Sequence, residues 1–147
     1  LGAFLSRLQS DMLDAFKLQK NEKVPVRLRP QSLRRALRNI IDNALRYGGA
    51  AVVAFHKDTD HAIITVSDDG PGIPETELEQ VFEPFFRLEK SRSRETGGTG
   101  LGLAISRSIV RAHGGDISLS NREQGGLVAT ITLPLEATPV IDERKEP

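Results

Sequence analysis

Asp68-Asp69-Gly70-Pro71-Gly72-Ile73-Pro74 and Gly97-Gly98-Thr99-Gly100-Leu101-Gly102-Leu103 are the two stretches whose reading decides the fold, about twenty-five residues apart. Glycine lets backbone approach a flat ligand with no Cβ in the way, and Pro71 and Pro74 stiffen the first stretch. Upstream lies a helical stripe carrying Asn39 and Asn43, four residues apart. A single glycine-rich loop is ordinary turn chemistry. Two of them, the first opened by a carboxylate and preceded by the Asn pair, point to a nucleotide site.

Strand parity singles out Asp68. Residues 62 to 68 read as a strand in which Ile64 and Val66 share a face with Asp68, while Ile63, Thr65 and Ser67 share the other. That places a carboxylate at a strand end on the core side, where an unpaired polar group costs roughly 2–7 kcal/mol. Two kinds of donor can meet it: the exocyclic amine of an adenine, or the backbone amides of the Gly70–Gly72 turn. Asp69 faces the other way, as a solvated residue or a turn former.

Asn39, Asn43, Arg46 and Tyr47 project from one side of a single helix, beside its core stripe. A side-chain amide oxygen is a competent ligand for a hard cation, and Mg²⁺ commonly keeps several waters while bridging a few protein oxygens to phosphates. Asn43 is therefore the candidate metal ligand. Arg46 can pair with phosphate, and Tyr47 can hydrogen-bond to phosphate or line the pocket. Thr99-Gly100-Leu101-Gly102-Leu103 opens a further helix, exposing backbone N–H groups beside a helix N-terminus, where anions bind. No Lys follows the last glycine, so this is not a P-loop, and no strand leads directly into it, so it is not a dinucleotide fingerprint. The segment between, with Phe82, Phe85 and Phe86 followed by Arg87, Lys90, Arg92 and Arg94, has no clean period and reads as a long functional loop able to close as a lid. His56, His61 and His113 have no metal-type spacing and take surface or cap roles.

Around these motifs the periodicity predicts a first helix over about residues 1 to 20, from Leu5, Leu8, Met12, Leu13 and Phe16. Val24 to Arg29 alternates as a half-exposed strand would. Pro30 opens a second helix with Leu33, Leu37, Ile40, Ile41 and Ala44 as its core stripe, and Gly48-Gly49 ends it. Strands follow over 51 to 56 and 62 to 68, joined by Lys57-Asp58-Thr59-Asp60, then a short acidic helix from Glu75 to Gln80. A third long helix runs from about Gly100 to His113 with Leu101, Ile105, Ile109 and Ala112 on one face. Ile117 to Ser120 and Leu127 to Leu133 make a final hairpin across Gly125-Gly126. Residues 1–135 thus form one domain, and 136–147 a polar tail expected to be disordered. Helices and strands intermix, so the class is α/β with helices on one face of a sheet.

Composition narrows the classes further. The 147 residues suit one globular domain, and 38% hydrophobic content supplies a core while no run is long enough to span a bilayer. There is no cysteine, which excludes a disulfide scaffold and thiolate metal sites. Twenty basic residues balance twenty acidic ones and aromatics are 5%, so nucleic acid is not an expected partner. Leu1 opens amphipathic helical sequence, so the chain reads as part of a longer protein.

Together these residues resemble the ATP-binding catalytic domain of bacterial sensor histidine kinases, in the GHKL superfamily that also holds gyrase and MutL. Asn39-Ile40-Ile41-Asp42-Asn43-Ala44-Leu45-Arg46-Tyr47 looks like the N box of that family, Asp68 to Gly72 like its first glycine box, Phe82-Glu83-Pro84-Phe85-Phe86 like its F box, and Gly98 to Leu103 like its second glycine box. The order matches and covers roughly residues 24 to 134. The resemblance implies a two-layer α/β sandwich (the Bergerat fold), a mixed, mostly antiparallel sheet covered on one face by three helices, with ATP under a flexible lid over about 83–98. It implies that Asp68 binds the adenine amine, Asn43 holds Mg²⁺, Arg46 and Tyr47 face the phosphates, and Gly98, Gly100 and Gly102 shape the lid hinge. Gly70, Gly72, Ile73, Phe85, Thr99, Leu101 and Leu103 complete the implied nucleotide-binding set, and one of Lys90, Arg92 and Arg94 reaches the γ-phosphate. Asn39, Asn43 and Arg46 are the implied catalytic residues.

The implied reaction passes the γ-phosphoryl of ATP to a histidine on a separate dimerisation domain and thence to a response regulator. That dimerisation domain and its acceptor His have no counterpart in this sequence. The resemblance further implies a homodimeric full-length protein anchored in the bacterial inner membrane, this segment being cytoplasmic. Asn39 discriminates within the superfamily, whose ATPase members carry a water-activating Glu at that position. An amide cannot act as that base near neutral pH, and phosphoryl transfer to a histidine depends on positioning and charge neutralisation instead. The alternative is a nucleotide-binding regulatory or interaction module without transfer activity.

Overall fold

The computed structural model describes residues 1–12, 14–19, 24–84 and 102–136. Five strands form one sheet: β1 (Lys17–Gln19), β2 (Val52–Lys57), β3 (His61–Ser67), β4 (Asp116–Asn121) and β5 (Leu127–Pro134), in the spatial order β1-β2-β3-β5-β4. The β1–β2 pair is parallel and the other pairs are antiparallel, so the sheet is mixed and mostly antiparallel. Three long helices accompany it among the described residues: α1 (Gly2–Asp11), α2 (Pro30–Gly48) and α3 (Gly102–Ala112).

Register explains why only one sheet face is dry. Val53 pairs with Val66 and Val66 with Ala129; Phe55 pairs with Ile64, Ile64 with Ile131, and Ile131 with Ile117. These rows fall on one face by the two-residue period of a strand, and all are buried under the helices. Val52, Ala54, Ile63, Thr65, Ser67 and Thr130 occupy the other face and stay half-exposed. The α/β sandwich with helices on one face is thus what the chain forms.

The second helix follows its sequence signals closely. Pro30 sits in its first turn, Arg46 in its last turn complements the helix dipole, and Gly49 ends it in the left-handed conformation at φ 78°. Leu33, Leu37, Ile40, Ile41 and Ala44 are all buried, joined by Ala36. The hairpins also match: Asp58 Oδ1 accepts the N–H groups of Asp60 and His61 at 2.9 and 2.7 Å, closing the β2–β3 turn. Gly125 and Gly126 turn β4 into β5 with φ of 101° and 95°.

Four expectations need correction. The first helix ends at Asp11 rather than near residue 20, because Asp14 adopts a left-handed φ of 56° and the chain then enters β1. Phe16 is buried as the helical stripe required, but from the far side of that turn; Leu13 lies outside the described residues. Val24 to Arg29 keeps its alternating burial without being a strand. Alternation needs only one apolar surface to lie against, whereas a strand needs a ladder of backbone bonds, and the described long-range bonds of this segment run singly to Leu1, Glu136 and His113.

The acidic segment after Pro74 is two short 3₁₀ turns, Glu75–Glu77 and Gln80–Phe82, the second anchored by buried Val81 and Phe82. In α3 the most buried residues are Ser106 and Val110, while Ile105 and Ile109 are half-buried and Ala112 is exposed. Ser106 displaces the predicted stripe because its hydroxyl donates to the Ala36 carbonyl at 2.8 Å, which lets α3 lie close against α2. Leu101 of that stripe, residues 85–98 of the lid and the tail from 137 lie outside the described residues.

Candidate functional site

Asp68 follows the last residue of β3 and is only 8% exposed, on the face that parity assigned to it. Its backbone N–H continues the β3–β5 ladder, donating to the Leu127 carbonyl at 3.0 Å. The return bond is unusual. Leu127 N–H donates to Asp68 Oδ1 at 3.2 Å, so the side chain stands where a backbone carbonyl would in a regular ladder. The same oxygen accepts Gly70 N–H at 2.8 Å. The turn-amide partner anticipated from sequence is therefore present, and it is spent on one oxygen. Among the described residues Oδ2 takes no hydrogen bond.

The C-terminal end of α2 forms the wall opposite. A Cβ placed on Gly48 would lie 2.5 Å from Asp68 Cβ, and one on Gly70 would lie 2.8 Å from the Tyr47 carbonyl oxygen. Both positions therefore demand glycine, and the first glycine loop is held against the end of the Asn-bearing helix. Nine residues earlier, Asn39 Nδ2 donates to the Gly102 carbonyl at 3.4 Å, where α3 begins. So α2 touches the first loop at one end and the start of α3 further back. The rise between these contacts is about 13 Å at 1.5 Å per residue.

Asn43 and Arg46 lie on that stretch of α2, Asn43 half-buried and Arg46 exposed; among the described residues no hydrogen bond engages the Asn43 amide. Tyr47 is 36% exposed beside them. Gly102 opens α3, and Leu103 is half-buried against the core, as is Ile73. The structure thus brings Asp68, Gly70 and the end of α2 together, and Asn39 with Gly102. Phe85, Lys90, Arg92, Arg94, Gly98, Thr99, Gly100 and Leu101 lie outside the described residues. A cleft of about 320 Å³ lined by Gln19, Ala50, Val52, Ser67, Asp69 and Arg122 opens on the opposite sheet face, away from the Asp68 carboxylate.

Two groups escaped the sequence reading. Asn121 and Arg122, at the β4–β5 turn, bond the back of the Asp68 loop. Arg107 of α3 grips both carboxylate oxygens of Glu79 at 2.9 and 3.3 Å, donates to Asp116 Oδ1 at 3.2 Å, and lies 4.2 Å over the Phe82 ring. This fixes the end of the 3₁₀ segment to α3 just before residue 85. Spacing could not reveal it, since Glu79, Arg107 and Asp116 are far apart in the chain.

Asp116 also receives Arg111, whose guanidinium is the main cause holding its carboxyl down to about 2; Ile117 N–H and Arg107 add to this against the desolvation of partial burial. A carboxylate depressed on folding contributes stability present above its unfolded value of about 3.8 and lost as pH falls towards 2. With the Asp116 side chain 54% exposed, solvent screening keeps that contribution below about 1 kcal/mol. The gap in urea midpoint between wild type and Asp116→Asn should be constant above pH 4.5 and close by about pH 2. A gap of the same size at pH 5 and pH 2 would show that these ion pairs do not set the acid limit.

Comparison with known proteins agrees with this geometry. The family model described as "Histidine kinase-, DNA gyrase B-, and HSP90-like ATPase" matches residues 28–137. The chain is 46% identical over 106 residues to the sensor histidine kinase GtrS of Pseudomonas aeruginosa, covering 72% of this chain and 22% of that protein. It is 47% identical over 107 residues to the sensor histidine kinase CpxA of Escherichia coli, covering 72% and 23% respectively. The chain therefore spans less than a quarter of the length of these curated relatives.

Among solved structures, the nucleotide-free catalytic domain of the histidine kinase ThkA superposes with a TM-score of 0.77 at 27% identity, over 91% of each chain. ThkA in complex with the response regulator TrrA matches at 25% identity and a TM-score of 0.75, over 92% of this chain and 40% of that one. With the fold of a histidine kinase catalytic domain and a family match across α2, both β hairpins and α3, the chain belongs to the histidine kinase-, DNA gyrase B- and HSP90-like ATPase family.

Proposed function

We propose that this chain is the ATP-binding catalytic domain of a two-component sensor histidine kinase, delivering the γ-phosphoryl of ATP to a histidine on a dimerisation domain for relay to a response regulator. The observation that carries the reading is the divided Asp68 carboxylate. One oxygen is held by the N–H groups of Gly70 and Leu127, and the other takes no bond among the described residues, on a nearly buried side chain. A donor on a flat base, the adenine amine, satisfies it, while guanine would present a carbonyl there and be repelled.

With the base at the Asp68 end of α2, the phosphates extend along the helix towards Asn43, Arg46 and the start of α3. Arg46 offers a fork of donors and positive charge to them, and Tyr47 lies on the same turn. The Asn43 amide oxygen suits a Mg²⁺ that arrives on the nucleotide, and when bound that ion neutralises charge on the β- and γ-phosphates. Asn39, bonded to the Gly102 carbonyl, ties α2 to α3 and has no basicity with which to activate water. This favours a histidine acceptor over hydrolysis. The solved ThkA–TrrA complex supports the response-regulator partner, and the names of the relatives support a sensor role for the full-length protein; among the described residues no helix is long and apolar enough to cross a membrane.

The test is to incubate the chain with Mg·ATP, with and without a supplied kinase dimerisation domain carrying its acceptor His. The expected product is acid-labile phosphate on that domain, with ATP turnover in its absence at least about a hundredfold slower. Equal ATP hydrolysis with and without the acceptor would assign the chain to the hydrolase branch instead.

A further inference from the structure

The loop from Asp68 to Ile73 is not held by its own bonds alone. Its back is bonded to the turn between β4 and β5. Asn121 spends both ends of its amide on one residue: Oδ1 accepts Ile73 N–H at 2.9 Å and Nδ2 donates to the Ile73 carbonyl at 2.7 Å. That pair mimics the exchange of two bonds between facing strand residues and fixes the loop in position and rotation. Gly72 lies against the same amide: with φ at 76° its Cβ position is occupied by Asn121 Oδ1, so any other residue would push the clamp away.

Arg122 secures the other end. Its Nη1 donates to the Asp68 carbonyl at 2.7 Å and to Asp69 Oδ1 at 2.8 Å, from a side chain only 22% exposed. The Asp68 carbonyl needs this partner because the Asp68 carboxylate has taken its place as acceptor for Leu127 N–H. Left unpaired, a backbone carbonyl at so buried a position costs about 1–3 kcal/mol, and the loop would relax by rotating the peptide that carries Asp68. Gly126 closes the turn behind it: its N–Cα–C unit packs on the Asp68 carbonyl so tightly that a Cβ would overlap the oxygen, and its own carbonyl accepts Arg122 N–H at 2.9 Å.

We infer that Asn121 and Arg122 are positioning residues for base selection: acting through the backbone of Asp68–Ile73, they set where Asp68 Oδ2 stands and so create the preference for adenine. Among the described residues the side-chain hydrogen bonds of Asn121 and Arg122 go to Asp68, Asp69 and Ile73 and not to Asn43 or Arg46, so their effect falls on the base and spares the triphosphate. The inference rests on the assignment of Asp68 as the base-reading carboxylate, and it adds the residues that make that carboxylate selective.

The experiment measures Kd for Mg·ATP and Mg·GTP by calorimetry on the whole chain, in wild type and in Asn121→Ala, Asn121→Asp, Arg122→Ala and Arg122→Lys, with urea midpoints as the check on folding. Asn121→Asp keeps an acceptor for Ile73 N–H and sets a carboxylate against the Ile73 carbonyl. Arg122→Lys keeps the positive charge and enough N–H donors for both bonds, but on a flexible stem without the planar fork that holds Nη1 between its two acceptors. The expected result is that the ATP-over-GTP preference falls about tenfold in each Ala variant and about fourfold in the conservative ones, with GTP affinity nearly constant; tenfold corresponds to about 1.4 kcal/mol. A preference unchanged within twofold in the folded Asp and Lys variants, or equal losses for both nucleotides, overturns the inference and leaves a merely structural turn. A wild-type chain with no preference for ATP would instead overturn the assignment of Asp68, which separates the two failures.

Discussion

Asp68→Asn should weaken binding of ATP by about a hundredfold while leaving the fold intact, because the change is nearly isosteric. An amide oxygen at the Oδ1 position still accepts from Gly70 and Leu127, whose N–H groups stay paired. The amide nitrogen then stands where Oδ2 was and meets the adenine amine donor to donor. Losing a hydrogen bond to a charged acceptor costs about 1.5–3 kcal/mol, and the two facing donors add to it, which together gives the hundredfold scale. Asp68→Ala is the less informative change, since it strips two buried N–H groups of their acceptor at about 1–3 kcal/mol each and so mixes stability with affinity. Calorimetric titration of a non-hydrolysable ATP analogue, beside the urea midpoint, separates the two effects. ATP binding within threefold of wild type in the Asn variant would remove Asp68 from the base site.

The second large effect belongs to Asn43. Asn43→Ala should reduce phosphoryl transfer to a supplied dimerisation domain by at least about a hundredfold, on the scale found when one preorganised electrostatic group is removed from a transition-state site. Binding measured without Mg²⁺ should change little, because the base end of the site is untouched. Stability should also hold: Asn43 is half-buried and engages no hydrogen bond among the described residues, and Ala is a better helix former. The signature is therefore a Mg²⁺-dependent loss on an unchanged fold. A variant that transfers at the wild-type rate would show that the metal is anchored elsewhere.

These two predictions use residues that could be picked from the sequence, and the reason is local. Asn43 follows from the four-residue repeat of a helix whose start at Pro30 and stop at Gly49 are both written in the chain. Asp68 follows from the two-residue repeat of β3, which alone forces its side chain to the buried face. The core stripe of α2, the two antiparallel hairpins and the placing of helices on one sheet face were legible for the same reason. Where a stripe met a competing contact it misled: Ile105 and Ala112 looked like the buried face of α3 until Ser106 bonded the Ala36 carbonyl.

By itself, then, the sequence determined which residues of α2 and of the hairpin strands face inward, where α2 begins and ends, and that a carboxylate stands at the end of β3, since these depend on neighbours within one or two turns of chain. Only the tertiary structure decided which partners those groups find. Lys17–Gln19 became a strand by pairing in parallel with β2, whereas Val24–Arg29 bonds singly to Leu1, Glu136 and His113. The bond from Leu127 N–H to the Asp68 carboxylate, and the grip of Asn121 and Arg122 on the loop behind it, join residues about fifty positions apart. Hydrogen bonds of that range have no periodicity to announce them; they exist only once β5 lies beside β3 and brings the turn at Gly126 against Asp68.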